Sequence, residues 1–393
     1  MAMVPDGSSS STSELGEDRP LCEFIFGVFE QLLEDAMRRM NENGEDGISC
    51  VIADLCASAA LSVANRMGIP RFGLWCPSAA NLAVCLHIPK LIESGVVDGE
   101  NGEILRSQMI KLSPTMPELS TSDLMWDCMI PTAKRAVFQL LLKASQTAAF
   151  LDGILCNSFP GIEATALDLI PEVVPIGPIL STKRKTMGQF WEEDSSCLNW
   201  LDQQKHRSVV YVAFGSFTII DQTQYEELAA GLEQMGRPFL WVVRSDFINQ
   251  SNVVYPENFL ARIANRGKIV SWAPQQKVLS HPAIACFVSH CGWNSVTEGM
   301  SNGVPFLCWP YFADQFLNRK YVCEVWQIGI ALKENENGII TRDEIEKKVE
   351  HILSEEEMKL RALKMKETAE ETLAFDGTSF RNFDEFVERI KRV

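Results

Sequence analysis

Trp272-Ala-Pro-Gln275 … Ser289-His290-Cys291-Gly292-Trp293-Asn294-Ser295-Val296-Thr297-Glu298-Gly299 … Pro310-Tyr311-Phe312-Ala313-Asp314-Gln315 gathers a nucleotide-sized set of contacts in one segment. The apolar run Ile284 to Val288 reads as a buried strand. After the tight His290-Cys291-Gly292-Trp293 turn, a helix is expected to start at Asn294 or Ser295. The orphan N–H groups and dipole of that helix start favour an anion, so a diphosphate would sit over Asn294 and Ser295, with His290 in reach. Trp272 offers a flat face to a base, Gln275 an amide for its edge, and Asp314-Gln315 acceptors and donors for sugar hydroxyls. Ser295-Val-Thr-Glu298 also fits a capping box, in which Glu298 only reaches back to its own helix start. Taken alone, the tetrapeptide fits either role.

The segment from Trp272 to Gln315 closely resembles the signature of the plant secondary-product glycosyltransferases, the family 1 UDP-glycosyltransferases. Cys156-Asn-Ser158, Pro175-Ile-Gly-Pro178, Cys197-Leu-Asn-Trp-Leu-Asp202, Val209-Val-Tyr-Val-Ala-Phe-Gly215-Ser216 and Pro238-Phe-Leu-Trp-Val-Val-Arg244 resemble the same family in the same order. The resemblance implies the GT-B fold, an α/β class with two Rossmann-like doubly wound domains facing a cleft. It implies that Trp272 stacks on uracil, that Ala273 and Gln275, flanking Pro274, bond the base edge, and that Glu298 takes the ribose hydroxyls. His290, Gly292, Asn294, Ser295 and the Gly215-Ser216 turn would face the phosphates, and Trp293, Asp314 and Gln315 the sugar. UDP-glucose is then a co-substrate, with no cofactor and no metal. The partner is a small hydroxylated plant metabolite of flavonoid or terpenoid type, and transfer is inverting.

The family opens with a strand and a Gly-His loop carrying the catalytic base, and no such segment is found in this chain. Asp54, after Cys50-Val-Ile-Ala53, matches the carboxylate that orients that histidine, as in a triad; the lesser reading is an N-cap for the following helix. The five histidines His87, His206, His281, His290 and His351 lie elsewhere, and His87 reads as a helix-face residue. Without its first strand, which is central in a doubly wound sheet, the N-terminal domain is expected to expose apolar faces and unpaired edge groups. Cys76 stands where the family often has a threonine near the sugar. The alternative function is a non-catalytic binder of UDP-sugar or acceptor.

A chain of 393 residues, 46% of them hydrophobic, implies two domains. The expected boundaries are 1–179, a linker at 180–195, 196–375, and a final helix within 376–393 returning to the first domain. The net charge of −16 argues against nucleic acid or an anionic membrane. Twelve cysteines without a C-x-x-C pair read as reduced thiols of a cytoplasmic protein, and a monomer is expected. Asn249-Gln-Ser251 matches a glycosylation acceptor but reads as a loop.

Leu21 to Arg39 reads as a helix, Ile48 to Ala53 as a buried strand, Ala57 to Met67 as a helix, and Phe72 to Trp75, Ile154 to Cys156 and Val173 to Gly177 as strands. In the second half, strands are expected at Val209–Phe214, Phe239–Val243, Lys268–Val270, Cys286–Val288 and Pro305–Leu307. Helices are expected at Gln222–Met235, Thr341–Leu353, Lys359–Leu373 and Ser379–Arg392. The acceptor pocket is expected on loops such as Trp75 to Leu91 and Pro114 to Cys128.

Overall fold

The computed structural model describes residues 21–43, 47–114, 116–127, 131–180, 192–244 and 255–392. The polar head, Asn249-Gln-Ser251 and most of the expected linker lie outside them. Packing divides the chain into one unit ending at Gly177 and resumed from Leu373, and a second of Pro178–Thr372.

The first unit runs α1 (Leu21–Asn43), β1 (Val51–Asp54), α2 (Ser58–Arg66), β2 (Arg71–Trp75), α3 (Ala79–Glu93), β3 (Met109–Ile110), β4 (Leu119–Ser120), α4 (Pro131–Ala148), β5 (Gly153–Cys156), α5 (Pro160–Leu167) and β6 (Val173–Pro175). Four strands form a parallel sheet in the order β1-β2-β5-β6. Short apolar runs alternating with helices produce this arrangement, because a parallel sheet is covered on both faces by its crossovers.

Two expectations change here. The strand at 48–53 is not buried: β1 begins only at Val51, pairs among the described residues with β2 alone at the sheet edge, and leaves Ile52 45% exposed. The stretch Trp75 to Leu91 is not a loop either, since most of it is α3, buried along most of its length. Its start is fixed by two devices. Ser78 Oγ accepts from Asn81 N at 3.2 Å, and the buried Glu163 carboxylate accepts from the backbone N–H of Ala79 and of Ala80, both at 2.9 Å. Those carboxylate bonds satisfy orphan donors of the first helical turn from outside the helix. The second expected loop holds β4 and a short 3-10 turn at Thr121–Asp123.

The second unit contains α6 (Ser196–Leu201), β7 (Val209–Ala213), α7 (Gln222–Gln234), β8 (Phe239–Val242), α8 (Phe259–Ile263), β9 (Gly267–Val270), α9 (Gln275–Leu279), β10 (Ile284–Ser289), α10 (Trp293–Ser301), β11 (Phe306–Cys308), α11 (Gln315–Lys320), β12 (Gly329–Ala331), α12 (Arg342–Ser354) and α13 (Glu356–Leu373). Its six strands are all parallel, in the order β12-β11-β10-β7-β8-β9. Strands β7, β8 and β10 are buried at every position, which is why their sequences read as unbroken apolar runs. A core of Val212, Phe214, Tyr225, Trp241 and Ile345 packs α7 and α12 against the sheet. The strand β12 was not among the strands expected from the sequence.

The last helix, α14 (Thr378–Ile390), follows a left-handed Asp376 (φ +68°) and belongs to the first unit. Phe386 meets Phe72 of β2 edge to face at 5.1 Å, Ser379 Oγ donates to Gly177 O at 2.5 Å, and Asn382 Nδ2 donates to Pro175 O at 2.7 Å.

Candidate functional site

In the second unit the chain passes from β7 to β8 on one side and later reaches β10 on the other, so the strand order reverses between β7 and β10. Ligands of open α/β sheets bind at such a switch point, beyond the carboxyl ends of the strands. Two turns emerge there: Phe214-Gly215-Ser216 after β7 and His290-Cys291-Gly292 after β10.

The two turns close on the His290 ring. A Cβ at Gly215 would come within 2.6 Å of His290 Nε2, and one at Gly292 within 2.5 Å, so only glycines let the backbone pass on both sides. Gly215 has φ +69° and Cys291 φ +65°, the latter a left-handed conformation that a residue with a Cβ seldom adopts. His290 keeps some surface, but its Nδ1 is wholly buried. Burial pushes the imidazole down to about 4, against a backbone hydrogen bond at Ala213 and with the Arg244 cation adding to the burial, so the ring is neutral at physiological pH.

The helix after this turn starts earlier than expected. Gly292 is its N-cap and Trp293 its first residue, so Ser295 lies in the first turn and cannot cap it. The Ser295–Glu298 capping box does not form. The Glu298 carboxylate points to α9 instead: Gln275 Nε2 donates to Oε2 at 2.6 Å and Gln276 Nε2 to Oε1 at 3.0 Å. Gln275 Nε2 also approaches Ser295 Oγ at 2.9 Å, and its Oε1 accepts from Tyr211 OH at 3.1 Å. Burial raises Glu298 above the usual carboxylate range, the two glutamine amides opposing it. Trp272 is half-buried, its carbonyl accepts from Asp194 N at 2.9 Å, and Ala273 is buried beside it. The structure therefore brings Trp272, Ala273, Pro274, Gln275, Ser295 and Glu298 together on consecutive and directly bonded elements. Asn294 is exposed at the helix start.

Beyond β11 the chain turns at Ala313 (φ +55°) into α11. Burial raises the Asp314 carboxyl to about 6, against the opposing effects of the Asn318 amide and the Trp293 backbone N–H. Asn318, 1% exposed, donates to Asp314 Oδ2 at 2.8 Å and to Cys291 O at 2.9 Å, tying the His290 turn to the start of α11. Gln315 is buried, and its Oε1 accepts from the backbone N–H of Tyr311 (2.7 Å) and Phe312 (3.1 Å), so it shapes the loop. The Trp293 ring is also buried, with Trp326 6.1 Å away between ring centres.

In the first unit, Asp54 is exposed at the end of β1. It does not cap α2, whose N-cap is Ala57; its Oδ1 accepts from Cys56 N at 2.8 Å. Burial, reinforced by the Asp54 charge, pushes the Cys56 thiol up to about 12 and the Cys76 thiol to about 11. No histidine bonds to Asp54 among the described residues. His87 lies on α3 with Nδ1 2.9 Å from Ala83 O, and His281 Nε2 is 3.2 Å from Asp202. His206 and His351 are exposed on the second unit.

Two site residues were not visible in the sequence. Arg244 is 2% exposed behind the Gly215 turn, donating to the carbonyls of Gly215 and, at 2.8 Å, of Thr218. It ends the family-resembling stretch Pro238 to Arg244, but nothing in that stretch shows which groups it holds. Asn318 had no signal of its own. Among the described residues no group of three or more His, Cys, Asp or Glu is arranged to hold a metal, and no helix is long and apolar enough to cross a membrane.

Parallel sheets covered by helices in each unit are the architecture of the GT-B fold, which the solved structures similar to this chain share. The chain belongs to the plant UDP-glycosyltransferases: residues 139–371 match the family described as UDP-glucoronosyl and UDP-glucosyl transferase. It is 40% identical over 400 residues to UDP-glycosyltransferase 83A1 of Arabidopsis thaliana, covering 100% of this chain and 84% of that one. Its structure is similar to a UDP-glucosyltransferase from Polygonum tinctorium capable of glucosylating indoxyl, with TM-score 0.83, 30% identity, and coverage of 97% of this chain and 85% of that one. It is similar also to Phytolacca americana UGT2 complexed with UDP-2fluoro-glucose and pterostilbene, with TM-score 0.77, 28% identity, and coverage of 94% and 80%.

Proposed function

We propose that this chain binds UDP-glucose across the switch point of its second unit and that the family reaction here is inverting transfer of glucose to a hydroxyl of a small plant metabolite of flavonoid or terpenoid type. The observation that carries the reading is the pair of turns closed on His290 at the N-terminus of α10, adjoining the Trp272–Gln275–Glu298 cluster. Uracil stacks on Trp272, ribose meets Glu298, and the diphosphate lies over Asn294 and Ser295. The α10 dipole and the one N–H of a neutral His290 stabilise the charge that grows on the departing UDP. Asp314 and Gln315 border the sugar. The Polygonum and Phytolacca proteins support a small aromatic acceptor by the molecules their structures name. The protein works as a cytoplasmic monomer.

The acceptor's proton must go to a base as its oxygen attacks the anomeric carbon from the face opposite UDP. Asp54 would hold such a histidine, yet none bonds to it among the described residues. That favours a second reading, donor binding without efficient turnover. Calorimetry with UDP, followed by a glucose-transfer assay on a panel of flavonoids and terpenoid alcohols, separates the two. Trp272→Ala should lose on the order of 1–3 kcal/mol of UDP affinity, by analogy with base–aromatic stacking elsewhere. Unchanged affinity in that variant removes Trp272 from the site. Turnover at ordinary enzyme rates removes the second reading.

A further inference from the structure

We propose that Arg244 is a positioning residue for the donor: its guanidinium holds the peptide between Gly215 and Ser216 so that the Ser216 N–H is turned toward the diphosphate. This rests on the donor-site reading above. Arg244 lies just beyond β8, is 2% exposed, and uses its two terminal nitrogens on two carbonyls of one turn, those of Gly215 and Thr218. A trans peptide is planar, with its carbonyl and its N–H on opposite sides. Fixing the Gly215 carbonyl toward Arg244 therefore points the Ser216 N–H away from it.

That N–H has no partner among the described residues, and Ser216 is exposed. Gly215 lies against His290, where even a methyl group would collide, so the same turn that Arg244 grips is the one flanking the imidazole. Burial alternates as a clamp from beneath requires: Thr218 is 1% exposed, whereas Phe217 and Ile219 on either side are 79% and 51% exposed. A guanidinium suits this task better than an ammonium. Its planar fork spans two acceptors at a fixed separation, while a lysine offers a point charge on a flexible stem.

The test compares UDP with uridine, which has the same base and ribose but no phosphate. Calorimetry on wild type, Arg244→Ala and Arg244→Lys should show Arg244→Ala losing roughly tenfold to a hundredfold in UDP affinity, the range of one charge-assisted hydrogen bond. Its uridine affinity should be unchanged, and Arg244→Lys should recover part of the loss. The proposal is overturned if folded Arg244→Ala binds UDP like wild type, or if UDP and uridine weaken equally, which would mark a merely structural role. If Arg244→Ala does not fold, Arg244→Lys and Arg244→Gln decide by the same ratio. A wild-type chain that fails to bind UDP overturns the donor-site reading, and this proposal with it.

Discussion

Gln275 Nε2 lies 2.6 Å from Glu298 Oε2, so the side chain read as meeting the base and the one read as meeting ribose form one hydrogen-bonded unit. Gln276 and Tyr211 complete it. The proposed donor end is therefore preorganised by contacts between α9, α10 and β7.

Glu298→Gln tests that unit. Burial is the largest influence on Glu298 and disfavours its charge, so the neutral isostere removes that penalty while losing one acceptor to a glutamine amide. The unliganded melting temperature should stay near that of wild type, while affinity for UDP and for uridine falls together. A lowered melting temperature with intact uridine affinity would make Glu298 a structural residue only.

Gly292→Ala and Gly215→Ala distinguish steric from backbone roles. Gly292 has φ −60°, which any residue adopts, so its cost comes only from the 2.5 Å collision with His290. In the wild-type background Gly292→Ala should cost about 1–3 kcal/mol of unfolding free energy, as other overpacked sites do. In a His290→Ala background most of that cost should vanish. Gly215→Ala should keep a penalty in both backgrounds, because its φ of +69° is strained for alanine whatever the space. Chemical denaturation of the three single and two double variants measures the coupling. Equal costs with and without the imidazole would refute the packing of the two turns on His290.

How much of this was legible follows from what each residue depends on. Strands such as Val209–Phe214 were readable because both faces are buried, which leaves an apolar run in the sequence. The same burial hides α3: apolar nearly all round, with Pro89 inside it, it shows no stripe of helical period in the sequence. The edge position of β1 follows the unpaired edge expected of the N-terminal domain and not the apolar run Ile48 to Ala53, since Ile52 looks the same on an edge as in a core. The cluster from Trp272 to Glu298 was legible as a motif, but the partner of Glu298 was not. A capping box and a cross-helix bond to Gln275 need the same residue types, and only the helix start at Trp293 decides between them. Arg244 and Asn318 act on carbonyls, which carry no sequence signal at all.

The last prediction concerns pH and uses two half-buried groups displaced in opposite directions. His290 is lowered from 6.5 to about 4, so its contribution to stability is full above pH 6.5 and is lost as pH falls toward 4. Asp314 is raised from 3.8 to about 6, so the folded state favours its protonated form; its contribution is full below about pH 3.8 and is lost as pH rises toward 6. Between about pH 4 and 6 the two oppose each other in the wild type. Asp314→Asn removes the compensating group while keeping an acceptor for Asn318, so the unliganded variant should lose stability more steeply than wild type as pH is lowered through this window. His290→Gln should do the reverse, becoming relatively more stable toward pH 4. Each difference from wild type should reach on the order of 1–3 kcal/mol across the window. Urea denaturation at half-unit pH steps reads both differences against the shared background of other titrating groups. Two flat difference curves would mean that neither the imidazole nor the carboxyl is buried as described, and one of the wrong slope would reverse the assignment for that residue.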